Sequence, residues 1–295
     1  MTGFPAEIGQ KLADRWAGLL AVPGLLYLAA ATVAVVLGHA HALSYPYLSR
    51  KIGQWAAGPV FHSAGGTAIV IAAVLAGSAF AGLVAAAGGG LIERVWTLPG
   101  HHGLARRLAR RRLERSRQHK AVADTSQDPA AVRRAIGRAN RICLVEPARP
   151  TWIGDRLHTC QVRIEVIYGL DLDTTWPRLW LIVPDSVRTE LGAARDAFGS
   201  AARLTAWAAL YLLLGIWWWP AFPVAAGIGV AGVVKGRGAT GVLADLIESA
   251  VDLHGADLAA RLGEHPTGPV DPAVGRRLTT LMRKSRWDPD SPLAQ

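Results

Sequence analysis

The residues best suited to chemistry crowd into one stretch of the chain. Between Pro150 and Asp185 stand four aspartates, Asp155, Asp171, Asp173 and Asp185, among three tryptophans, Trp152, Trp176 and Trp180. Tyr168 and Arg178 lie in the same stretch. Carboxylates beside aromatic rings can line a pocket or a docking face, so Trp152, Asp155, Tyr168, Asp171, Trp176, Arg178 and Trp180 form the candidate ligand or partner surface. A plainer reading competes for the acids. Asp171, Asp173 and Asp185 each precede an expected helix start, where an anionic side chain satisfies free backbone N–H groups. Capping is the preferred reading for those three.

Other motifs carry less. Gly227-Gly229-Gly232 and Gly236-Gly238-Gly241 both match G-x-G-x-x-G. A dinucleotide site needs a preceding strand and a following βαβ unit. The first match lies inside an apolar run and reads as close helix packing; the second reads as a flexible turn. No H-E-x-x-H, G-x-S-x-G or phosphate-loop pattern is present. His39, His41 and His62 could converge on a metal, but without a carboxylate partner they read as surface or interfacial residues. His101-His102 reads as an interfacial turn, and His254 is offset from Asp252 on its helix. Cys143 and Cys160 have neither zinc nor disulfide-framework spacing. No catalytic, cofactor-binding or metal-ligating set is therefore assigned.

The elements that must hold these residues follow from a conflict in composition. The 295-residue chain is 51% hydrophobic yet carries a net charge of +10. Segregation resolves it, with apolar blocks in lipid and charged blocks in water. Four apolar runs follow: 16–38, 65–92, 203–219 and 221–234, the last two a short hairpin. The first holds no charge after Trp16 and is long enough to cross a bilayer; a kink at Pro23 is tolerated there. Ala40-His41-Ala42 resembles a signal-peptidase site, but the run is long for a signal peptide, and an uncleaved span is favoured. In the second run Gly77/Ala81 and Gly82/Ala86 give small-xxx-small spacing for close packing in lipid. Trp217, Trp218 and Trp219 suit an interface, and Pro220 and Pro223 break the helix. The fourth run is short, so a re-entrant hairpin is the alternative to a full crossing. The interiors hold no Asp, Glu, Lys or Arg, which weighs against an ion-coupled transporter.

Arginine placement orients these runs. Arg94, Arg106, Arg107, Arg110, Arg111, Arg112, Arg115 and Arg117 follow the second run; Lys11 and Arg15 precede the first, Arg203 opens the third, and Lys235 and Arg237 follow the fourth. The 39–64 loop holds only Arg50 and Lys51. Both termini, 93–202 and 236–295 are thereby expected in the cytoplasm.

Within 104–117, Leu104 and Leu108 share one helical face amid arginines. A basic stretch beside a span is drawn to anionic lipid headgroups, so Arg106, Arg107, Arg110, Arg111 and Arg112 are expected to face lipid. Nucleic acid is the disfavoured partner, since no aromatics interleave and no binding fold is recognisable. A loop over 121–128 leads to a helix begun by Asp128-Pro129, with Val132, Ile136, Ala139 and Cys143 at helical spacing. Thr151 caps the next, which stops at Tyr168-Gly169; alternation at Val162, Ile164 and Val166 also allows a strand. Trp176-Pro177 starts a short turn of helix, and Pro184-Asp185 opens one expected to run unbroken over 186–219, 34 residues or about 50 Å. A further helix over 240–262 has an acidic remainder, suggesting that it pairs with 104–117. The tail after Pro266 is expected to be partly disordered around a short helix at 272–284.

One series of strings is more specific than any motif above: Pro150-Thr151-Trp152-Ile153-Gly154-Asp155-Arg156-Leu157, Tyr168-Gly169-Leu170-Asp171, Trp176-Pro177-Arg178-Leu179-Trp180, Pro184-Asp185 and Val251-Asp252-Leu253-His254. From about residue 16 to 262 the chain resembles a group of functionally uncharacterised multi-pass membrane proteins from actinobacteria. Abundant Arg, Ala and Gly fit a GC-rich genome. The resemblance implies the multi-pass topology and a bacterial cytoplasmic-membrane location, and no activity. The expected fold class is an all-α membrane protein with four transmembrane helices and a mainly helical cytoplasmic region. A membrane-anchored interaction or sensor protein, its cytoplasmic helical region coupled to the third run through that long helix and its partner a protein or a second copy of the chain, is the preferred reading, and an oligomeric pore or transport protein is the alternative. A membrane enzyme using the Asp/Trp stretch ranks third.

Overall fold

The computed structural model describes residues 22–58, 62–101, 103–143, 145–265 and 268–283. Lys11, Arg15, the start of the first apolar run, His102, Pro266 and the tail from 284 fall outside these. Among the described residues there are ten α-helices and no strand. They are α1 Val22–Leu37, α2 Tyr45–Ala56, α3 Ala64–Trp96, α4 Gly103–Thr125, α5 Pro129–Ile142, α6 Trp152–Tyr168, α7 Leu172–Ile182, α8 Asp185–Leu214, α9 Ala221–Arg261 and α10 Pro272–Arg283. The strand weighed at Val162–Val166 is therefore helix, within α6.

Two helices, α3 and α8, are long and apolar enough to cross a membrane, where four such segments were expected. The first run contributes only the 16 residues of α1 to the described chain. The fourth is not a separate leg but the opening of the 41-residue α9, whose apolar character ends at Lys235. The turn expected around Gly236–Gly241 is continuous helix. The long helix expected to reach Trp219 stops at Leu214, where the Gly215 N–H turns back to the Tyr211 and Leu212 carbonyls.

The chain divides into two compact units. The first comprises the residues up to Glu93 with Gly199–Val234. Its packing is built on small residues. On α3, Ser78, Ala81, Gly82, Ala85 and Gly89 are the buried positions, and Ala81 and Ala85 meet Trp207 of α8. This face overlaps the expected small-xxx-small stripe, with Gly77 and Ala86 at its half-buried edges. Gly24 of α1 lies so close to the Ser78 backbone that a Cβ would collide with its carbonyl oxygen. Gly232 of the first G-x-G-x-x-G match lies against Thr205 in the same manner, the close packing expected there. Tyr27 stands edge-on to Tyr211 with centroids 5.3 Å apart and 5.8 Å from Trp207. The Trp cluster falls in the turn between α8 and α9, where the Trp218 indole N–H donates to the Ala42 carbonyl at 2.8 Å. The 39–64 loop contains α2, a helix not anticipated, with Tyr45, Ile52 and Trp55 exposed.

The second unit comprises Arg94–Phe198 and the chain from Lys235. Here α4 and α5 form a hairpin; α4 continues to Thr125, through five of the eight residues of the expected loop. Asp128 caps α5 by accepting from the Ala130 and Ala131 N–H groups, with Pro129 at the first position. The core gathers Cys160 and Ile164 of α6, Leu179 of α7, Ala244, Val251 and Leu258 of α9, and Leu278 and Met282 of α10. The segment after 266 thus supplies core, through α10, rather than a loose tail. Three of the four acidic residues of 240–262 turn to α6: Asp245 and Glu248 meet Arg156, Glu248 also meets Arg163 at 2.9 Å, and Asp252 accepts from Tyr168. The pairing expected with 104–117 is replaced by these bonds.

Candidate functional site

The Pro150–Leu157 string forms the most heavily bonded point of the second unit. Thr151 caps α6, its hydroxyl accepting from the Gly154 N–H at 2.9 Å. The same hydroxyl donates to the Trp96 carbonyl. Arg149 donates from Nη1 to the Thr97 carbonyl at 2.7 Å. These are carbonyls at the C-terminal end of α3, which otherwise lack intrahelical donors. A cationic guanidinium is favoured there by the helix dipole as well.

One turn on, Asp155 is 1% exposed. Its Oδ1 accepts from the Ala148 and Arg149 N–H groups at 2.9 and 2.7 Å. Its Oδ2 accepts from Arg112 Nε at 3.1 Å and Nη2 at 2.6 Å. Arg112 Nη2 donates as well to the Ile142 carbonyl at the end of α5. A buried carboxylate is costly unless paired and fully hydrogen-bonded, and four donors meet that condition. The ion pair thereby holds α4, the end of α5, the 148–149 backbone and α6 in one arrangement.

Rings complete the collar. Trp96 packs on Phe198 of α8 with centroids 5.7 Å apart. It also faces Gly236 of α9, where a Cβ would come 2.7 Å from Cη2. The Arg237 guanidinium lies 5.8 Å from the Trp152 ring centre, a cation–π distance. So α3, α8 and α9 each contribute a residue to contacts gathered at the N-terminus of α6. A cavity of about 210 Å³ lies beside it, lined by Asn140, Ile142, Cys143, Trp152, Arg156 and Thr159. The Cys143 thiol and Thr159 hydroxyl are 3.2 Å apart there.

The other candidate surface residues each have their own partners. Tyr168 donates its hydroxyl to Asp252 at 2.8 Å, and this bond, with burial, pushes its pKa up. Asp171 caps α7 through the Asp173 N–H and accepts from Arg283 Nη2 at 2.9 Å. Trp176 and Trp180 pack in a tilted pair against Val187 and Leu191. Arg178 donates to the Thr174 carbonyl and to the Met282 carbonyl of α10. Asp185 pairs with Arg188 at 2.5 Å. The carboxylates therefore serve separate caps and ion pairs. Of the basic residues assigned to lipid, Arg106, Arg107, Arg110 and Arg111 are exposed, whereas Arg112 is turned inward onto Asp155. His41 stacks on Tyr47, and no group of three His, Cys, Asp or Glu side chains among the described residues could hold a metal.

The sequence offered a signal for Arg112 that its charge concealed. Ala105, Ala109, Arg112 and Ser116 recur at four, three and four residues, and all turn toward the interior. The arginine occupies a core register.

No protein-family model, curated protein or solved structure matches this chain.

Proposed function

We propose that the chain is a membrane-anchored interaction or sensor protein whose helical second unit grips the end of α3 through the collar around Asp155. The observation that carries the reading is the grip on α3. This helix has the length and composition to cross a membrane, and its final carbonyls are held by Thr151 and Arg149. The α6 N-terminus that supplies the grip is itself locked by the Arg112–Asp155 pair. Rearrangement of the α4–α5 hairpin by a partner would change that pair first, and then the support of the α3 terminus.

Two rivals have less behind them. An oligomeric pore lined by the small-residue face of α3 would need that face free, but Ser78, Ala81, Gly82 and Ala85 are buried within the chain. A membrane enzyme would need Asp155, Asp171 and Asp185 around one pocket, whereas each pairs with a different arginine, Arg112, Arg283 and Arg188. The test is photo-crosslinking in native membranes from exposed positions on the hairpin, comparing the wild-type chain with Asp155→Asn. A discrete adduct that the variant loses is the expected result. Recovery of the uncoupled protein alone under every condition would retire the reading, and solute flux in proteoliposomes would revive the pore.

A further inference from the structure

The first two turns of α4 combine exposed leucine and exposed arginine in one geometry. Leu104 is 76% and Leu108 49% exposed. Arg106, Arg107, Arg110 and Arg111 are exposed as well. Residues three and four apart are neighbours on a helix surface. Arg107 and Arg111 thus each stand beside the leucine three positions before, and the two leucines stack one turn apart. The inward face is formed separately, by Ala109, Arg112 and Ser116. The contrast with Arg112 and Arg117 is informative, since these fold back onto Asp155 and Glu146.

Resting on the membrane reading above, we propose that residues 104–111 form an interfacial docking surface for anionic phospholipid. Leu104 and Leu108 enter the acyl boundary while the guanidinium groups of Arg106, Arg107, Arg110 and Arg111 engage headgroup phosphates. Two observations select lipid over a nucleic acid or an acidic protein. Apolar side chains standing beside the charges gain by leaving water only where an apolar phase lies under the anions. Continuity supplies the second: residues 97–102 alone separate α3 from α4. A linker of that length reaches no more than about 25 Å, which keeps the surface near the end of a candidate span. Guanidinium suits the role because its planar fork binds phosphate bidentately. Docking there would bear directly on Arg112, one residue beyond Arg111, and hence on the Asp155 node.

The experiment uses the full chain in nanodiscs, carrying a polarity-sensitive thiol dye at Leu104→Cys or, separately, at Leu83→Cys in α3. The native Cys143 and Cys160 are buried, so the dye reports the introduced site. In discs containing phosphatidylglycerol, the dye at 104 should be quenched several-fold more by a lipid-borne quencher than in pure phosphatidylcholine. Salt at 0.5 M should reverse the difference. Arg→Gln at 106, 107, 110 and 111 should also abolish it, each arginine contributing about fivefold to the docked-to-undocked ratio. A dye at 83 that is quenched in both discs while that at 104 is quenched in neither overturns this inference and leaves the membrane reading standing. No quenching at 83 overturns the membrane reading itself. A response at 104 to added RNA but not to phosphatidylglycerol overturns the lipid assignment in favour of nucleic acid.

Discussion

At the scale of single residues, Asp155 and Arg112 lie 43 positions apart in sequence yet form the densest polar contact of the second unit. Removing one partner of a buried pair leaves the other charge without compensation, which costs about 3 to 5 kcal/mol. Arg112 keeps 20% of its side-chain exposure, so the lower end applies. Asp155→Asn is expected to destabilise the unit by about 3 kcal/mol, read from denaturant unfolding. Arg106→Gln, on the exposed face of the same helix, should change stability by less than about 0.5 kcal/mol. Equal effects of the two substitutions would mean that the pair is not the clamp. Local chemistry explains why some of these residues were readable. Asp128, Thr151 and Gly169 act as caps through their immediate neighbours, so the sequence around each announces its role. Arg112 does not, because only its register with Ala109 and Ser116 separates it from seven similar arginines.

Titration belongs to this scale too. Burial, reinforced by the nearby Glu248 carboxylate, pushes the Cys160 thiol up to about 12. The hydrogen bond to Asp252, with burial, raises Tyr168. Both groups hold their protons more tightly in the folded chain than in the unfolded one. Their contribution to stability is complete below about pH 9, near the ordinary thiol value, and is lost as pH rises toward 12. Unfolding midpoints should fall between pH 9 and 11, and Cys160→Ala should flatten that decline. A thiol reactive toward iodoacetamide in the folded protein at pH 8 would contradict the burial of Cys160.

At the scale of elements, α10 docks through two glycines. Gly169 ends α6 at φ +68°, in the left-handed region, and lies against the Pro272 backbone. Gly275 of α10 is pressed against the Tyr168 carbonyl so closely that any Cβ would collide with it. Thr279 then donates to the Gly169 carbonyl at 3.2 Å and accepts from the Asp171 N–H at 3.1 Å. Gly275→Ala must separate the two backbones, at a cost of about 1 to 3 kcal/mol. Gly169→Ala adds left-handed strain of about 1 to 2 kcal/mol. Both should release α10 and hasten tryptic cleavage at Arg276 and Arg277, while Gly192→Ala, in open space on α8, should not. Unchanged cleavage in Gly275→Ala would mean that α10 is held in some other way. The sequence marked helix at 272–284 but not its place in the core, since prolines and charges around a short helix read as a loose tail. What draws it in is a backbone crossing whose two glycines lie 106 residues apart, a relation no local pattern carries. The same limit explains α9. Gly236 and Gly238 read as a turn, whereas the bare Gly236 is what allows Trp96 to lie against a continuous helix.

At the scale of the whole molecule, helical class was legible because periodicity and caps are local, whereas the extent of the apolar segments was not. Hydropathy marks α3 without ambiguity. The apolar part of α8 merges with an amphipathic stretch, and that of α9 passes into charged helix with no break. The distribution of arginine and lysine sets an expectation about sidedness that labelling can test. Ser49 in α2 and Ser186 at the start of α8 are both exposed, and serine-to-cysteine changes little at either. With the native thiols buried, a membrane-impermeant maleimide applied to intact cells should label Ser49→Cys and leave Ser186→Cys unmodified until the membrane is permeabilised. The opposite pattern would reverse the orientation while keeping the membrane. Equal labelling of both positions in intact cells, or protection of both until lysis, would place the two loops on one side. In that case α3 would be an apolar helix that does not carry the chain across, and the support lent to its terminus by Thr151 and Arg149 would serve packing alone.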